Sequence, residues 1–128
     1  MKNRYLIAVI VAVASLAGCA RTAPINNIDQ PVIGHYSDNQ MRQAIVEAGI
    51  TRHWVMTPVA PGVINGRLAQ RGHVANIRID YTPSRYSIHY VSSENLLAAD
   101  NEIHRNYNNW VTALNQDIQV RLSAQQLK

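Results

Sequence analysis

Apolar and polar residues alternate along three consecutive segments between residues 63 and 91, and this alternation constrains the fold most strongly. A period of two is typical of β-strands that bury one face and expose the other. The segments are Val63–Gln70, His73–Tyr81 and Tyr86–Val91. Between them lie Arg71-Gly72 and Thr82–Arg85, which contain the glycine and the proline that favour turns. The sequence therefore predicts three antiparallel strands joined by short turns.

The apolar faces of these strands also predict how they pair. Tyr81 must lie opposite Tyr86, because a shift of one residue would move one apolar set to the wrong face of the sheet. The inner face then contains a row of Ile64, Ile79 and Ile88 and a row of Gly66, Ile77 and Tyr90. The outer face contains a row of Asn65, Arg78 and His89 and a row of Arg67, Asn76 and Val91, with Asp80 and Ser87 alongside.

Two helices flank the predicted strands. Ser37 and Gln40 have the spacing of a capping box, and Gly49 suits the left-handed residue that ends a helix. The second helix is amphipathic, and Asp100 is a suitable N-cap for it. Its apolar residues recur every three or four positions, at Ile103, Tyr107, Trp110, Val111, Leu114, Ile118 and Leu122.

These elements predict the fold class. Trp54–Val59 is a fourth strand, which Pro58 restricts to an edge of the sheet. The fold is then an α+β domain of two layers. One layer is a four-stranded antiparallel sheet, and a short N-terminal helix and a long C-terminal amphipathic helix pack together on one of its faces.

The first residues of the chain have the pattern of a secretory signal. Lys2 and Arg4 precede an apolar stretch, Tyr5–Ala17, which is too short for a permanent membrane span of about 20 residues. The stretch ends in Leu16-Ala17-Gly18-Cys19, which resembles the lipobox of bacterial lipoproteins. The resemblance implies that Cys19 is diacylated on sulfur, becomes the N-terminus and is then acylated on its amine. The alternative is an ordinary signal peptide with an incidental cysteine.

The predicted organisation has four parts. Residues 1–18 are a signal peptide that is removed, and 19–36 are the lipidated cysteine with a flexible tether. Residues 37–123 form the single α+β domain, and 124–128 a C-terminal tail. The tether contains Pro24, Pro31 and Gly34, and a flexible segment of this length spans about 23 Å. Ala20 stands where enteric lipoproteins that stay in the inner membrane usually have aspartate, so the resemblance implies the periplasmic face of the outer membrane if the cell is Gram-negative.

Composition excludes several function classes. Cys19 is the only cysteine, so lipidation leaves no thiol for a disulfide or a cysteine-ligated zinc. Of the 12 basic residues, Lys2 and Arg4 lie in the signal, which leaves ten against 8 acidic ones and no basic stripe for nucleic acid. No nucleophile or phosphate-binding motif occurs, and the histidines form neither HxH nor HExxH. We expect no enzyme, no metal and no cofactor apart from the covalent lipid on Cys19.

Two groups of polar residues are candidate interaction sites. Asn65, Arg67, Asn76, Arg78 and His89 form a polar face of the predicted sheet, and the alternative is an ordinary solvated face. His104, Asn106, Asn108 and Asn109 form a second patch at the start of the last helix. Asparagine is a mediocre helix former, so this patch either recognises a partner or caps and solvates the first helical turn.

Several segments resemble a family of small uncharacterised proteobacterial lipoproteins. They are Met41–Ile45, Trp54–Met56, Pro61-Gly62, Tyr86–Ile88, Asn95-Leu96 and Ile103–Trp110. The similarity covers about residues 37–122 and implies a single domain. The resemblance does not assign a functional role to any residue of this chain.

These observations lead to two functional hypotheses. The first is a lipid-anchored periplasmic accessory module that binds an envelope protein or the cell-wall polymer through the polar sheet face. The alternative is a small-ligand or lipid-binding module, with a pocket between the sheet and the C-terminal helix where Gly66 and Ala75 leave room near Tyr90 and Trp110. The oligomeric state stays open.

Overall fold

The computed structural model describes residues 21–126. The predicted signal peptide, residues 1–18, and the predicted lipidation site Cys19 lie outside the described residues. In chain order the elements are β1 (Thr22–Pro24), β2 (Ile28–Pro31), α1 (Asp38–Thr51), β3 (Val55–Ala60), β4 (Val63–Gln70), β5 (His73–Thr82), β6 (Arg85–Glu94), β7 (Glu102–His104) and α2 (Arg105–Gln126). Within this range, neither helix combines the length and apolarity that a membrane crossing requires.

The strands form two antiparallel sheets. The larger sheet has five strands in the order β2-β6-β5-β4-β3, and β1 and β7 form a separate two-stranded sheet. The α+β class with antiparallel sheets and two helices is therefore confirmed. The prediction of a four-stranded sheet is wrong, because β2 adds a fifth strand at the free edge of β6. The Pro58-containing strand β3 lies at the other edge.

The register of the central strands follows the predicted rows. Ile79 pairs with both Ile64 and Ile88, and Tyr81 pairs with Tyr86. The turn between β5 and β6 is tighter than predicted, because Thr82 pairs with Arg85 and only two residues form the loop. Arg71 and Gly72 have φ values of 53° and 80°, as a type I′ turn requires.

One irregularity interrupts this register. Asn76 pairs with Ser92, whereas the next residue, Ile77, pairs with Tyr90. Val91 is therefore the extra residue of a β-bulge, and Ser92 takes the place predicted for Val91 in the outer row. Bulges depend on the local twist of the sheet, which the alternation of residues does not encode.

Helix α1 begins as predicted and ends later. Ser37 is the N-cap, and both reciprocal hydrogen bonds of the capping box with Gln40 are present. The predicted stop at Gly49 is wrong, since the left-handed residue is His53, with φ 70°. The Trp54 amide donates to the Gly49 carbonyl oxygen (2.8 Å) and the His53 amide to the Ile50 carbonyl oxygen (3.1 Å), which is the Schellman pattern.

Helix α2 differs from the prediction at both ends. Asp100 is not its N-cap, because that residue is left-handed (φ 52°) in a turn that precedes β7. The helix starts at Arg105 and runs to Gln126, so the predicted tail over 124–128 is wrong for its first three residues. The predicted apolar stripe faces the core, with Tyr107, Val111, Leu114, Ile118 and Leu122 all buried.

The core lies between the inner face of the large sheet and both helices. Most of its fully buried members come from α1, from the inner rows of the sheet and from α2, and Leu96 and Ile103 join them from the loop before β7 and from β7 itself. The largest of them include Met41, Ile45, Ile64, Ile79, Tyr86 and Tyr107. The opposite face of the sheet carries exposed side chains, so the domain has the two predicted layers.

The N-terminal segment is folded where a flexible tether was predicted. Residues 22–24 and 28–31 are strands β1 and β2, and Ile25, Ile28 and Val32 pack against the core. The Asn27 side-chain oxygen accepts a hydrogen bond from the Tyr90 amide at 2.9 Å. The prediction of a flexible tether over 19–36 is thus wrong for residues 22–32, because such short strands have too few residues to produce a periodic pattern.

Candidate functional site

The outer sheet face brings together all five residues of the first predicted site. Asn65 pairs with Arg78 and Arg78 with His89, so the first outer row is present as predicted. Arg67 pairs with Asn76, and Thr57 of β3 extends the first row beside Asn65. Neither helix covers this face, and the side chains of Arg78 and His89 are 50% and 38% exposed. We call these residues, with Thr57, Asp80 and Ser92, the outer sheet face.

A small charged network occupies one half of this face. The Asp80 carboxylate lies 3.4 Å from the Arg78 guanidinium Nε and 3.3 Å from His89 Nε2. All three side chains are substantially exposed, so water screens the pair and each contact is worth at most about 1 kcal/mol. The carboxylate therefore offsets the charge of Arg78 without fixing it tightly.

Ser87, His89 and Asp80 lie in contact but lack the geometry of a hydrolase triad. Ser87 Oγ is 2.8 Å from His89 Nε2, and the Asp80 carboxylate approaches that same nitrogen. A triad needs the serine and the carboxylate on opposite ring nitrogens, so that one accepts the hydroxyl proton while the other is held. This arrangement is therefore not a catalytic triad, and its contacts can hold the surface histidine in place.

The other half of the face contains an arginine without a nearby acid. Arg67 donates to the Asn76 side-chain oxygen at 3.4 Å, and Asn76 donates in turn to Ser92 Oγ at 3.1 Å. Among the described residues, the ion pairs of this face join Asp80 to Arg78 and to His89, and Arg67 takes part in none of them. Arg67 thus keeps a guanidinium available for an acceptor from outside the domain.

A shallow hollow of about 240 Å³ adjoins Arg67. Its walls include Val55 and Val91, which are 67% and 56% exposed, together with polar Asn65 and Asn76. The β-bulge places Val91 there. The hollow therefore combines a free cation, amide groups and exposed aliphatic area on one surface.

The second predicted patch is mostly used inside the protein. The Asn108 side chain donates to the Pro24 carbonyl oxygen (2.9 Å) and accepts from the Asn26 amide (3.0 Å). The ring nitrogen Nδ1 of His104 accepts from the Asn106 amide (3.1 Å) and so caps the start of α2. Asn106 and Asn109 are exposed. The structure favours the structural interpretation for His104 and Asn108.

The predicted pocket beneath the sheet is filled at its centre. A side chain at Gly66 would meet Ile77 Cγ1 at 2.8 Å and Met56 Sδ at 3.2 Å. Tyr90 packs edge to face on Tyr107, with ring centroids 5.4 Å apart. Nearer the edge, Trp54, Leu68, Trp110 and Ala113 help to line a hollow of about 300 Å³ between the end of β4 and α2.

A larger hollow of about 620 Å³ was not anticipated from the sequence. It lies between the N-terminus of α1 and the turns that precede β4 and β6, and prolines 58, 61 and 83 help to line it. The sequence predicted a turn at Pro83 and an edge strand at Pro58. The convergence of these prolines depends on how the two turns lie beside α1, which no local pattern encodes.

The described part of the chain contains no group of three or more histidine, cysteine, aspartate or glutamate residues arranged to hold a metal ion. Comparison of the sequence with protein-family models finds no match, and comparison with curated proteins finds none either. The resemblance to small proteobacterial lipoproteins therefore stays a prediction, and the arguments about function rest on the geometry above.

Proposed function

We propose that this chain is a lipid-anchored accessory module of the bacterial cell envelope, held at the periplasmic face of the outer membrane through acylated Cys19. In this proposal it binds an envelope protein through the outer sheet face. The supporting observation is that this face is uncovered and carries Arg67 without a carboxylate partner among residues 21–126. The anchor raises the local concentration of the module near its partner without any additional contact.

The composition of the face favours a protein over the cell-wall polymer. Arginine is enriched at protein interfaces, and exposed aliphatic side chains such as Val55 and Val91 gain free energy when a partner removes them from water. A glycan chain offers little apolar surface to match them. Binding of the polymer would rest on Arg67 and the amides of Asn65 and Asn76, and it would leave Val55 and Val91 exposed to water.

Site-specific crosslinking in living cells tests the proposal. A photo-reactive residue is introduced at Thr57, which is exposed on the outer sheet face, and at Gln43, which is exposed on α1. We expect a discrete crosslinked adduct from position 57. The substitution Arg67→Glu should strongly reduce the yield of this adduct. Arg42→Glu, the matched reversal of an exposed arginine on α1, should leave the adduct unchanged.

Equal adducts from positions 57 and 43, or an adduct that Arg67→Glu does not diminish, would contradict docking through this face. Sedimentation of the purified protein with isolated cell-wall sacculi tests whether the partner is the polymer. Binding to sacculi that depends on Arg67, together with no protein adduct, would replace the envelope protein by the polymer as the partner.

Small-ligand binding is a second candidate function, favoured by the hollow beside α2. Trp54 and Trp110 line it, and the indole N–H of buried Trp54 has no hydrogen-bond partner among the described residues. Native mass spectrometry of the purified protein is expected to reveal a co-purified ligand if this function holds. If the native protein and Trp110→Ala each show only their own ligand-free mass, this function is rejected.

A further inference from the structure

We propose that the end of the domain formed by β1, β7 and the start of α2, here called the proximal end, rests directly on the lipid headgroups. This inference depends on the proposed acylation of Cys19. It specifies something the proposed function leaves open, namely which surface of the domain faces the bilayer.

The first argument is the length of chain between the anchor and the fold. Cys19 lies three residues before Thr22, the first residue of β1. Consecutive Cα atoms are about 3.8 Å apart, so the Cα atoms of Cys19 and Thr22 are separated by at most about 11 Å. The headgroup layer on one side of a bilayer is about 5–8 Å thick. An acylated Cys19 therefore keeps β1 within a few ångströms of the headgroup surface.

The second argument is that β1 is fixed to the domain. Thr22 pairs with His104, and the Arg105 amide donates to the Arg21 carbonyl oxygen at 3.2 Å. Further along, the Ile25 amide donates to the Asn101 carbonyl oxygen at 3.0 Å. The side chain of Asn108 adds its two hydrogen bonds to the same stretch of chain. The anchor is thus joined to a folded strand, whereas a flexible tether of 17 residues would leave the orientation free.

The side chains of the proximal end suit this position. Leu97 is 57% exposed in the loop that leads to β7, where it can contact the apolar edge of the headgroup layer. The exposed charged residues there are two positive ones, Arg21 and Arg105, and two negative ones, Asp100 and Glu102. Because these charges balance, the short covalent link sets the orientation and electrostatic attraction does not. The contact should therefore not require anionic lipid.

The other end of the domain is displaced along α2. Asn108 lies beside Pro24, whereas Leu122 accepts a hydrogen bond from Tyr36 through its carbonyl oxygen. Leu122 follows Asn108 by 14 positions, which corresponds to about 21 Å of helix. The turn at Ser84, whose carbonyl oxygen binds the Val32 amide, lies toward this distal end. Proximal and distal positions are thus far enough apart to be distinguished by quenching from the bilayer.

The test uses the full chain, purified with its lipid and reconstituted into phosphatidylcholine vesicles that contain a nitroxide-headgroup lipid. A fluorophore is attached to a single introduced cysteine, at Leu97→Cys or Asn109→Cys for the proximal end and at Ser84→Cys or Asn39→Cys for the distal end. We expect quenching at least about threefold stronger at the proximal positions. Adding phosphatidylglycerol should leave the ratio unchanged.

An insertion into the linker shows whether the short covalent link or the surface residues of the domain set the orientation. About 12 glycine and serine residues placed between Ala20 and Arg21 restore a long tether, and the difference between the two ends should then largely disappear. Equal quenching at both ends of the acylated protein without the insertion would overturn the orientation and leave the proposed function intact. Mass spectrometry that finds no acyl chain on Cys19 would overturn the proposed function, and the orientation with it.

Discussion

Asn108 Nδ2 donates a hydrogen bond to the carbonyl oxygen of Pro24 at 2.9 Å, across 84 positions of the sequence. The same side chain accepts from the Asn26 amide, so one residue of α2 satisfies a backbone group of the last residue of β1 and one just after that strand. Backbone groups at the end of a short strand otherwise depend on water. Asn108 therefore couples the N-terminal segment to the helix that crosses the core.

Asn108→Ala tests this coupling. The substitution removes both hydrogen bonds, and we expect the free energy of unfolding to fall by about 1–2 kcal/mol. Amide hydrogen exchange in residues 22–26 should accelerate more than exchange in β4 and β5. Asn109→Ala is the matched control, because Asn109 is exposed one position further along the helix. Similar exchange in the two variants would mean that Asn108 does not hold the segment.

The buried tyrosines Tyr86 and Tyr107 predict opposite responses to the loss of a hydroxyl group. The hydroxyl of Tyr86 donates to the side-chain oxygen of Asn115, whereas that of Tyr107 has no hydrogen-bond partner among the described residues. Tyr86→Phe should cost about 1 kcal/mol of stability, and Tyr107→Phe should add about 1 kcal/mol, since an unpaired buried hydroxyl is itself unfavourable. Denaturant unfolding of both variants gives the comparison. A loss of stability in Tyr107→Phe would indicate a bound water that satisfies the hydroxyl.

The central strands were predictable because each local signal agreed with the others. Alternation fixed the inner rows, the glycine at position 72 suited its turn, and both sets of pairings followed from keeping apolar residues on one face. Five residues of the outer sheet face could be assigned to one surface for the same reason, namely Asn65, Arg67, Asn76, Arg78 and His89.

The remaining features depend on contacts between distant parts of the chain. Strands β1 and β2 have three and four residues and form only because β7 and the edge of β6 are available to pair with them. The C-terminal end of α1 also depends on a distant contact. The left-handed residue there is His53, whereas Gly49, predicted for that role, allows close packing against β3. A glycine near a helix end has two possible roles, and the sequence does not distinguish them.

Burial raises the pKa of both Tyr86 and Tyr107 well above the usual value near 10, and for Tyr107 the neighbouring Tyr90 adds to the effect. In the unfolded chain each tyrosine loses its proton near pH 10, while the folded protein still retains it. The unfolded state then binds fewer protons, so stability is fully present below pH 10 and decreases as the pH rises above it.

We expect the free energy of unfolding to fall above pH 10 with a slope that approaches about 1.4 kcal/mol per pH unit for each of these two tyrosines. Lys2 and Lys128 are the only lysines of the chain, so lysine side chains add little to this slope. Denaturant titrations between pH 9 and about 11.5 measure the slope. Tyr107→Phe should roughly halve it, and an unchanged slope in that variant would assign the dependence to other groups.

Gly49 and Met56 define how closely α1 approaches β3. A Cβ atom at position 49 would lie 2.9 Å from Met56 Cε and closer still to its Cγ and Sδ atoms. Alanine is otherwise the better helix former by about 1 kcal/mol. We nevertheless expect Gly49→Ala to destabilise the domain by about 1–3 kcal/mol, because Met56 must move out of contact with the core.

A double-mutant cycle separates this clash from other effects. Met56→Ala removes the atoms that Gly49→Ala would meet, so the double variant should be more stable than the sum of the two single changes predicts, by about 1 kcal/mol or more. Gly72→Ala is a useful comparison, since its added Cβ meets nothing within 4 Å and its cost arises from the left-handed backbone alone. Additive losses for positions 49 and 56 would show that the helix and the strand adjust independently, and that Gly49 is not needed for their contact.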